Sequence, residues 1–220
     1  MNEKRVINNV YIVAGGEIGD EIAQIKPTAA DIVIAVDSGA ERLFDRDIVA
    51  DYFLGDFDSL NGEYLATIER KYAERMICFP TIKNETDSEL AMQFAIGFAP
   101  KNIFFYGATG TRIDHILANI NILLQAEKRG INAVICDQFN RIQLLLAERT
   151  LTVKRSDYQY LSLIAFSERV EFQAGSGLKY PLENLVLTQG LSRGLSNEII
   201  ADEATITISS GVLLVIESRD

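Results

Sequence analysis

The sequence predicts two architectures in succession: an α/β N-terminal domain built on a mainly parallel sheet with helices on both faces, then a smaller all-β domain, sandwich or barrel-like. Three observations carry that expectation. Short apolar runs, each stopped by Gly or Asp, alternate with helical patterns as far as Cys136; helical periodicity then disappears from Arg141 onward; and turn residues punctuate the later runs.

Taken in order, residues 10–14 run into Gly15 and Gly16, residues 32–36 into Asp37, Ser38 and Gly39, residues 52–54 into Gly55 and Asp56, and residues 103–106 into Gly107. Between them, residues 63–72, 87–98 and 112–129 carry apolar side chains at helical spacing, as in Ile113, Ile116, Leu117, Ile120, Leu123 and Leu124. After the apolar run 132–136, β-rich runs follow at 141–146, 151–153, 160–166, 170–172, 205–208 and 212–216, separated by Gly175-Ser176-Gly177, Pro181, Gly190, Gly194 and Ser209-Ser210-Gly211. The change of pattern puts the boundary near residues 138–140, giving domains 1–138 and 139–220.

A chain of 220 residues, 48% hydrophobic and 24% charged, is large enough to bury a real core and too apolar to be disordered. It carries 31 acidic against 21 basic residues, a net charge of -10, and no dense Lys/Arg run, which excludes a sequence-independent nucleic-acid binder. Cys78 and Cys136 are too far apart for a zinc spacing or a disulfide framework, which fits a reducing cytoplasm. No apolar stretch reaches the ~18 residues of a membrane span, and the first apolar run is too short for a signal peptide.

Open α/β sheets bind ligands beyond the carboxyl ends of their strands. The residues there include Asp37, Asp56 and Asp58, and an extended backbone would point Asp56 and Asp58 to the same side. Asp87 and Asp114 fall near the starts of two helical patterns, and residues 107–111 form a Gly-rich segment suited to phosphate but lacking the Gly-Lys-Ser/Thr of a P-loop. A carboxylate about 4 Å from a phosphate charge costs on the order of 4 kcal/mol at an effective dielectric near 20, so several cannot face bare polyphosphate. Mg²⁺ reverses the sign, taking one or two carboxylates and completing its shell with water and phosphate. Each residue also has a purely structural reading. Thr86 to Glu89 is a capping-box pattern in which Asp87 is a helix-dipole partner, and Asp37 and Asp56 suit turns. His115 is expected to pack or bond locally, and both cysteines to be buried strand thiols. It is the recurrence of carboxylates after successive strands that points to a metal-nucleotide site. On residue chemistry alone this leaves a Mg²⁺-dependent phosphotransferase, a nucleotide hydrolase and a non-catalytic nucleotide sensor all open.

Four segments in order narrow the choice: Asp37-Ser38-Gly39-Ala40 followed by Arg42-Leu43; Gly55-Asp56-Phe57-Asp58-Ser59; Lys83-Asn84-Glu85-Thr86-Asp87; and residues 107–115, ending Arg112-Ile113-Asp114-His115. Together they resemble the thiamine pyrophosphokinase (thiamine diphosphokinase) family, as do residues 177–182 and 194–198 in the second domain. One departure is Asn84, where the family often has Asp. The resemblance implies pyrophosphoryl transfer from ATP to the thiamine hydroxyl, giving thiamine diphosphate and AMP. It also implies a Mg²⁺ cofactor and a homodimer whose composite sites join the β domain of one subunit to the other subunit's crevice. The first domain would then bind nucleotide and metal, and the second thiamine. Asp56, Asp58, Asp87 and Asp114 are the expected catalytic residues, the first three as metal ligands, with Asp58 or Asp87 as the base. Asp37, Lys83, Thr86, Thr109 and Arg112 are expected at ATP, and Tyr180, Ser196 and Asn197 at thiamine.

Overall fold

The computed structural model describes residues 6–80 and 84–220, so the expected ATP residue Lys83 lies outside the described residues. The chain divides into two compact units, Met1–Gln138 and Phe139–Asp220.

In the first unit the strands are β1 (Asn9–Val13), β2 (Asp31–Val36), β3 (Tyr52–Gly55), β4 (Met76–Cys78), β5 (Asn102–Tyr106) and β6 (Asn132–Cys136), and the helices α1 (Gly39–Phe44), α2 (Gly62–Tyr72), α3 (Asp87–Gly97) and α4 (Ile113–Glu127). Pairing is parallel throughout, in the order β4-β3-β2-β1-β5-β6. All six residues of β2 are buried, as a strand covered on both faces requires. On one face Val13, Val33, Ala35, Phe53, Tyr106 and Val134 pack with Ala40 and Leu43 of α1 and Ile68 of α2. Alternation turns Ile12, Ile34, Phe105 and Ile135, all fully buried, to the other face. There α3 lies against β1, β2 and β3, and α4 against α3 and β6.

In the first unit, α1 and β4 lie outside the elements expected from sequence. Helix α1 spans six residues and β4 three, too few for either periodicity to register. The thiol of Cys78 is a correction: it is exposed at the end of β4, an edge strand, whereas Cys136 is buried as expected.

At the amino end of the sheet, opposite the ligand edge, a row of amides crosses four strands. Asn132 Nδ2 donates to Asn102 Oδ1 (3.2 Å), Asn102 Nδ2 to Asn9 Oδ1 (3.0 Å), and Asn9 Nδ2 to the buried carboxylate of Asp31 (2.9 Å). Parallel register aligns these residues, since Asn9 pairs with both Asp31 and Asn102, and Asn102 with Asn132.

The second unit contains β7 (Asn140–Leu146), β8 (Thr150–Lys154), β9 (Tyr160–Ala165), β10 (Arg169–Ser176), β11 (Val186–Thr188), β12 (Glu203–Ser210) and β13 (Val212–Ser218). All pair antiparallel, as β7-β13-β9 and as β11-β10-β12-β8. Leu145, Leu163, Leu213 and Val215 from the first set share a core with Val153, Val170, Ile206 and Ile208 from the second, so the unit is a sandwich.

Candidate active site

The order β4-β3-β2-β1-β5-β6 places the topological switch between β1 and β5, where successive crossovers leave in opposite directions and a crevice opens beyond the strand ends. A cavity of about 450 Å³ lies there. Its floor is two loops joined by main-chain bonds: Ala14 N–H donates to Tyr106 O (2.9 Å), Gly16 N–H to Gly107 O (3.0 Å) and Glu17 N–H to Thr109 O (3.0 Å). A Cβ on Gly16 would lie 2.2 Å from the Thr109 carbonyl oxygen and 2.4 Å from that of Gly107, so only glycine permits this approach. Asn119, buried on α4, donates from Nδ2 to Ala108 O (2.7 Å) and ties the second loop to the helix behind it. Gly16→Ala is therefore expected to force the loops apart and destabilise the protein by about 1–3 kcal/mol, the usual cost of overpacking, read as a lower urea midpoint. An unchanged midpoint would show that the loops yield freely.

Asp37 lines the cavity in the left-handed region (φ +47), with its N–H donating to Leu54 O (3.0 Å). Its carboxylate sits so close to β3 that a Cβ at Gly55 would fall 1.8 Å from Oδ1. This is the reason for glycine at the end of that strand.

Asp56 and Asp58 do not follow the extended-strand expectation. Phe57 turns left-handed (φ +61) and is buried in the core, and Asp58 N–H donates back to Asp56 Oδ1 (3.2 Å). Burial of the apolar ring sets the local conformation, so Asp56 and Asp58 flank a turn and not an extended stretch. Ser59 of this loop lines the cavity, and Asp56 and Asp58 are not among its lining residues. The expected trio of Asp56, Asp58 and Asp87 is not preassembled: among the described residues, no three or more His, Cys, Asp or Glu side chains are placed to hold a metal ion.

Thr86 and Asp87 line the cavity at the start of α3. Thr86 Oγ1 accepts from Glu89 N–H (3.1 Å) as an N-cap, but Glu89 does not complete a capping box; its Oε1 accepts from Gln93 (3.3 Å) and Gln125 (2.8 Å). Thr109 and Arg112 also line the cavity. Asp114 is not in its wall: it holds Arg112 by a two-point contact, Nε to Oδ1 at 3.2 Å and Nη2 to Oδ2 at 2.6 Å. The bond to Asp114 raises the Arg112 pKa, and the same bond lowers that of Asp114. Both side chains are about two-thirds exposed, so the pair is weak enough for a phosphate to displace.

The second unit has its own cavity, of about 260 Å³, lined by Leu163, Tyr180, Pro181, Leu182, Leu195 and Asn197 among others. Ser196 is not in the lining; it is exposed and left-handed (φ +56), and its N–H donates to Ser162 Oγ (3.1 Å).

The residues of the first cavity that had no assigned site role include Gly16, Ser38, Ser59, Ser88, His115 and Asn119. Gly16 carried the clearest signal, a second glycine directly after a strand; His115, expected to pack locally, is exposed in the cavity wall.

An open parallel sheet with a glycine-zipped cradle at its switch point, walled by carboxylates and an arginine, defines an α/β enzyme acting on phosphate groups. Residues 26–135 match the family model described as thiamin pyrophosphokinase, catalytic domain, and residues 148–213 match its vitamin B1 binding domain. A thiamine pyrophosphokinase from Bacillus subtilis (strain 168) is 35% identical over 187 residues, covering 85% of this chain and 87% of its own length. The crystal structure of the thiamine pyrophosphokinase from B. subtilis superposes with a TM-score of 0.88 at 32% identity, over 97% of this chain and 100% of that one. That of the enzyme from Geobacillus thermodenitrificans gives 0.84 at 32% identity, over 96% and 98%. The chain belongs to the thiamine pyrophosphokinase family.

Proposed function

We propose that the chain transfers the pyrophosphoryl group of ATP to the hydroxyl of thiamine, forming thiamine diphosphate and AMP. The hydroxyl oxygen attacks the β phosphorus, the bond from that phosphorus to the oxygen bridging to the α phosphorus breaks, and that oxygen leaves with AMP. The hydroxyl proton passes to a carboxylate. Asp87 is favoured over Asp58 as its acceptor by its place in the cavity wall. The observation that carries the reading is the family match across both units in order, with a cavity of about 450 Å³ at the switch point of the first.

Thr109 and the main chain of the zipped loops would receive the phosphates, with Thr86 and Asp37 beside them and Arg112 moving from Asp114 to phosphate oxygen. Asp114 acts before that step, holding Arg112 at the cavity until phosphate takes it up. A divalent cation, Mg²⁺ by its preference for oxygen, would be held by Asp87 with Asp56 and Asp58, whose donor set is oxygen only. It would neutralise polyphosphate charge that these carboxylates otherwise repel. Lys83 is kept as a further ATP contact on the resemblance alone.

Thiamine, a cation with two flat rings, would bind at the second cavity, where Tyr180 offers an aromatic face. Ser196, outside that lining, is kept as a thiamine contact from its motif. A homodimer with composite sites is supported by exposed apolar side chains, Ile113 and Leu117 one turn apart on α4 (70% and 56% exposed) and Leu195 (47%) beside Tyr180 (56%). We assign the enzyme to the cytoplasm, in keeping with its two free cysteines, Cys78 and Cys136; among the described residues no helix is long and apolar enough to cross a membrane.

Incubation with ATP, Mg²⁺ and thiamine is expected to release AMP and thiamine diphosphate in equal amounts. Release of ADP would replace the reaction by single phosphoryl transfer. Stoichiometric binding without product would make the chain a sensor.

A further inference from the structure

Asn197 was expected to bond thiamine directly, yet its side chain is 5% exposed and already engaged. Its Oδ1 accepts from Tyr180 N–H (3.0 Å) and Glu198 N–H (2.9 Å), and its Nδ2 donates to Tyr180 O (2.9 Å). One side-chain amide thus satisfies both polar groups of the Tyr180 main chain, as a neighbouring strand would.

The surrounding pairing explains why a side chain is used there. Residues 177–179 run antiparallel to residues 198–200: Ile200 N–H donates to Gly177 O (2.9 Å), Lys179 N–H to Glu198 O (2.9 Å), and Leu178 bridges Ile199. The next step of that ladder would need Pro181, which has no N–H, and Ser196, which is left-handed with its N–H given to Ser162. Main-chain pairing therefore stops before Tyr180, and Asn197 continues it through its side chain. Its own main chain is anchored to β9 in both directions, Leu161 N–H to Asn197 O (2.8 Å) and Asn197 N–H to Leu161 O (3.0 Å). The position requires a donor and an acceptor on one short planar group, which among side chains of this length only Asn supplies.

We infer that Asn197 is a positioning residue for thiamine: its side-chain hydrogen bonds clamp the main chain of Tyr180 to β9 and so fix the aromatic wall of the 260 Å³ cavity, whose lining it shares. This rests on the reading of that cavity as the thiamine site. Lys179 completes the arrangement. Its ammonium is bound by Glu198 (2.6 Å) and lies 5.7 Å from the centre of the Tyr180 ring, which leaves the ring's other face for a cationic heterocycle.

The test is a double-substitution cycle on the full chain, reading thiamine affinity by calorimetry beside kcat and the KM values for thiamine and ATP. Asn197→Asp keeps the acceptor for Tyr180 and Glu198 but sets an oxygen against the Tyr180 carbonyl. It is expected to weaken thiamine binding about tenfold, the scale of one lost aromatic–cation contact, with kcat and the KM for ATP within about twofold of wild type. In a Tyr180→Ala background the same change is expected to cost less than about twofold, because the clamp then has no ring to hold. Asn197→Ala serves as a second probe, and if it does not fold the Asp variant carries the test alone. Unchanged thiamine affinity, a loss confined to kcat, or a full-sized loss in the Tyr180→Ala background would each overturn the clamp. Wild-type protein that binds thiamine but forms no AMP would sink the reaction while leaving the clamp readable from affinity; wild-type protein that does not bind thiamine would remove both.

Discussion

Asp87→Asn is expected to lower kcat about 1000-fold at saturating ATP and thiamine, the combined scale of losing a proton acceptor and a charge at phosphate. Asn preserves the shape of the side chain and removes its charge and basicity. The cap of α3 does not depend on that charge. Thr86 Oγ1 caps α3 through Glu89 N–H whatever stands at position 87, and the dipole interaction forfeited in the first turn is worth only about 0.3–1 kcal/mol. Thermal unfolding should therefore stay within a few degrees of wild type while AMP formation collapses. Wild-type turnover in this variant would take Asp87 out of the catalytic set and return it to the helix-capping role its sequence context also suits.

Asp31→Ala is expected to cost about 3 kcal/mol of stability near neutral pH, with no loss of turnover in the molecules that remain folded. Asp31 is 4% exposed, and its carboxylate accepts from Asn9 N–H (3.1 Å), Asn9 Nδ2 (2.9 Å), Thr28 N–H (2.8 Å) and Thr28 Oγ1 (2.8 Å). Alanine leaves the half-buried Asn9 donors without their acceptor and removes the group on which the Asn132–Asn102–Asn9 row ends. The pH dependence has a definite sign. Burial pushes the Asp31 pKa up, but the bonds from Thr28 and Asn9 together outweigh it and hold the carboxyl below its ordinary value. A depressed pKa stabilises the folded state above the unfolded value, and that stability is lost as pH falls through the folded value. The difference between wild type and variant should thus be level from pH 7 to pH 5 and shrink below about pH 4. A difference that grew on acidification would contradict this account of the network.

The helices and strands legible from sequence were those long enough to show a period. α2, α3 and α4 fall within two residues of the expected spans, and β2 announces itself by six consecutive apolar or terminal positions buried on both sides. What escaped was short or locally overruled. β4 and β11 have three residues each, and the Asp56–Asp58 stretch, alternating in sequence, is bent by the burial of Phe57. The candidate site was legible as a location because strands of a parallel sheet end together, so that Asp37, Asp87, Thr109 and Arg112 converge although up to 75 positions separate them.

By itself the sequence determined the succession of a parallel α/β unit and an antiparallel β unit, and the edge of the first at which chemistry belongs, because hydrophobic period and strand-end residues are local properties of a chain. Only the tertiary structure decided what each polar group at that edge does. Asp114 is turned onto Arg112, Asn197 onto the main chain of Tyr180, and Gly16 against two carbonyls more than 90 positions away. The reason is that a side chain's hydrogen-bonding capacity is finite, and which partner takes it up is settled by distance in the folded molecule.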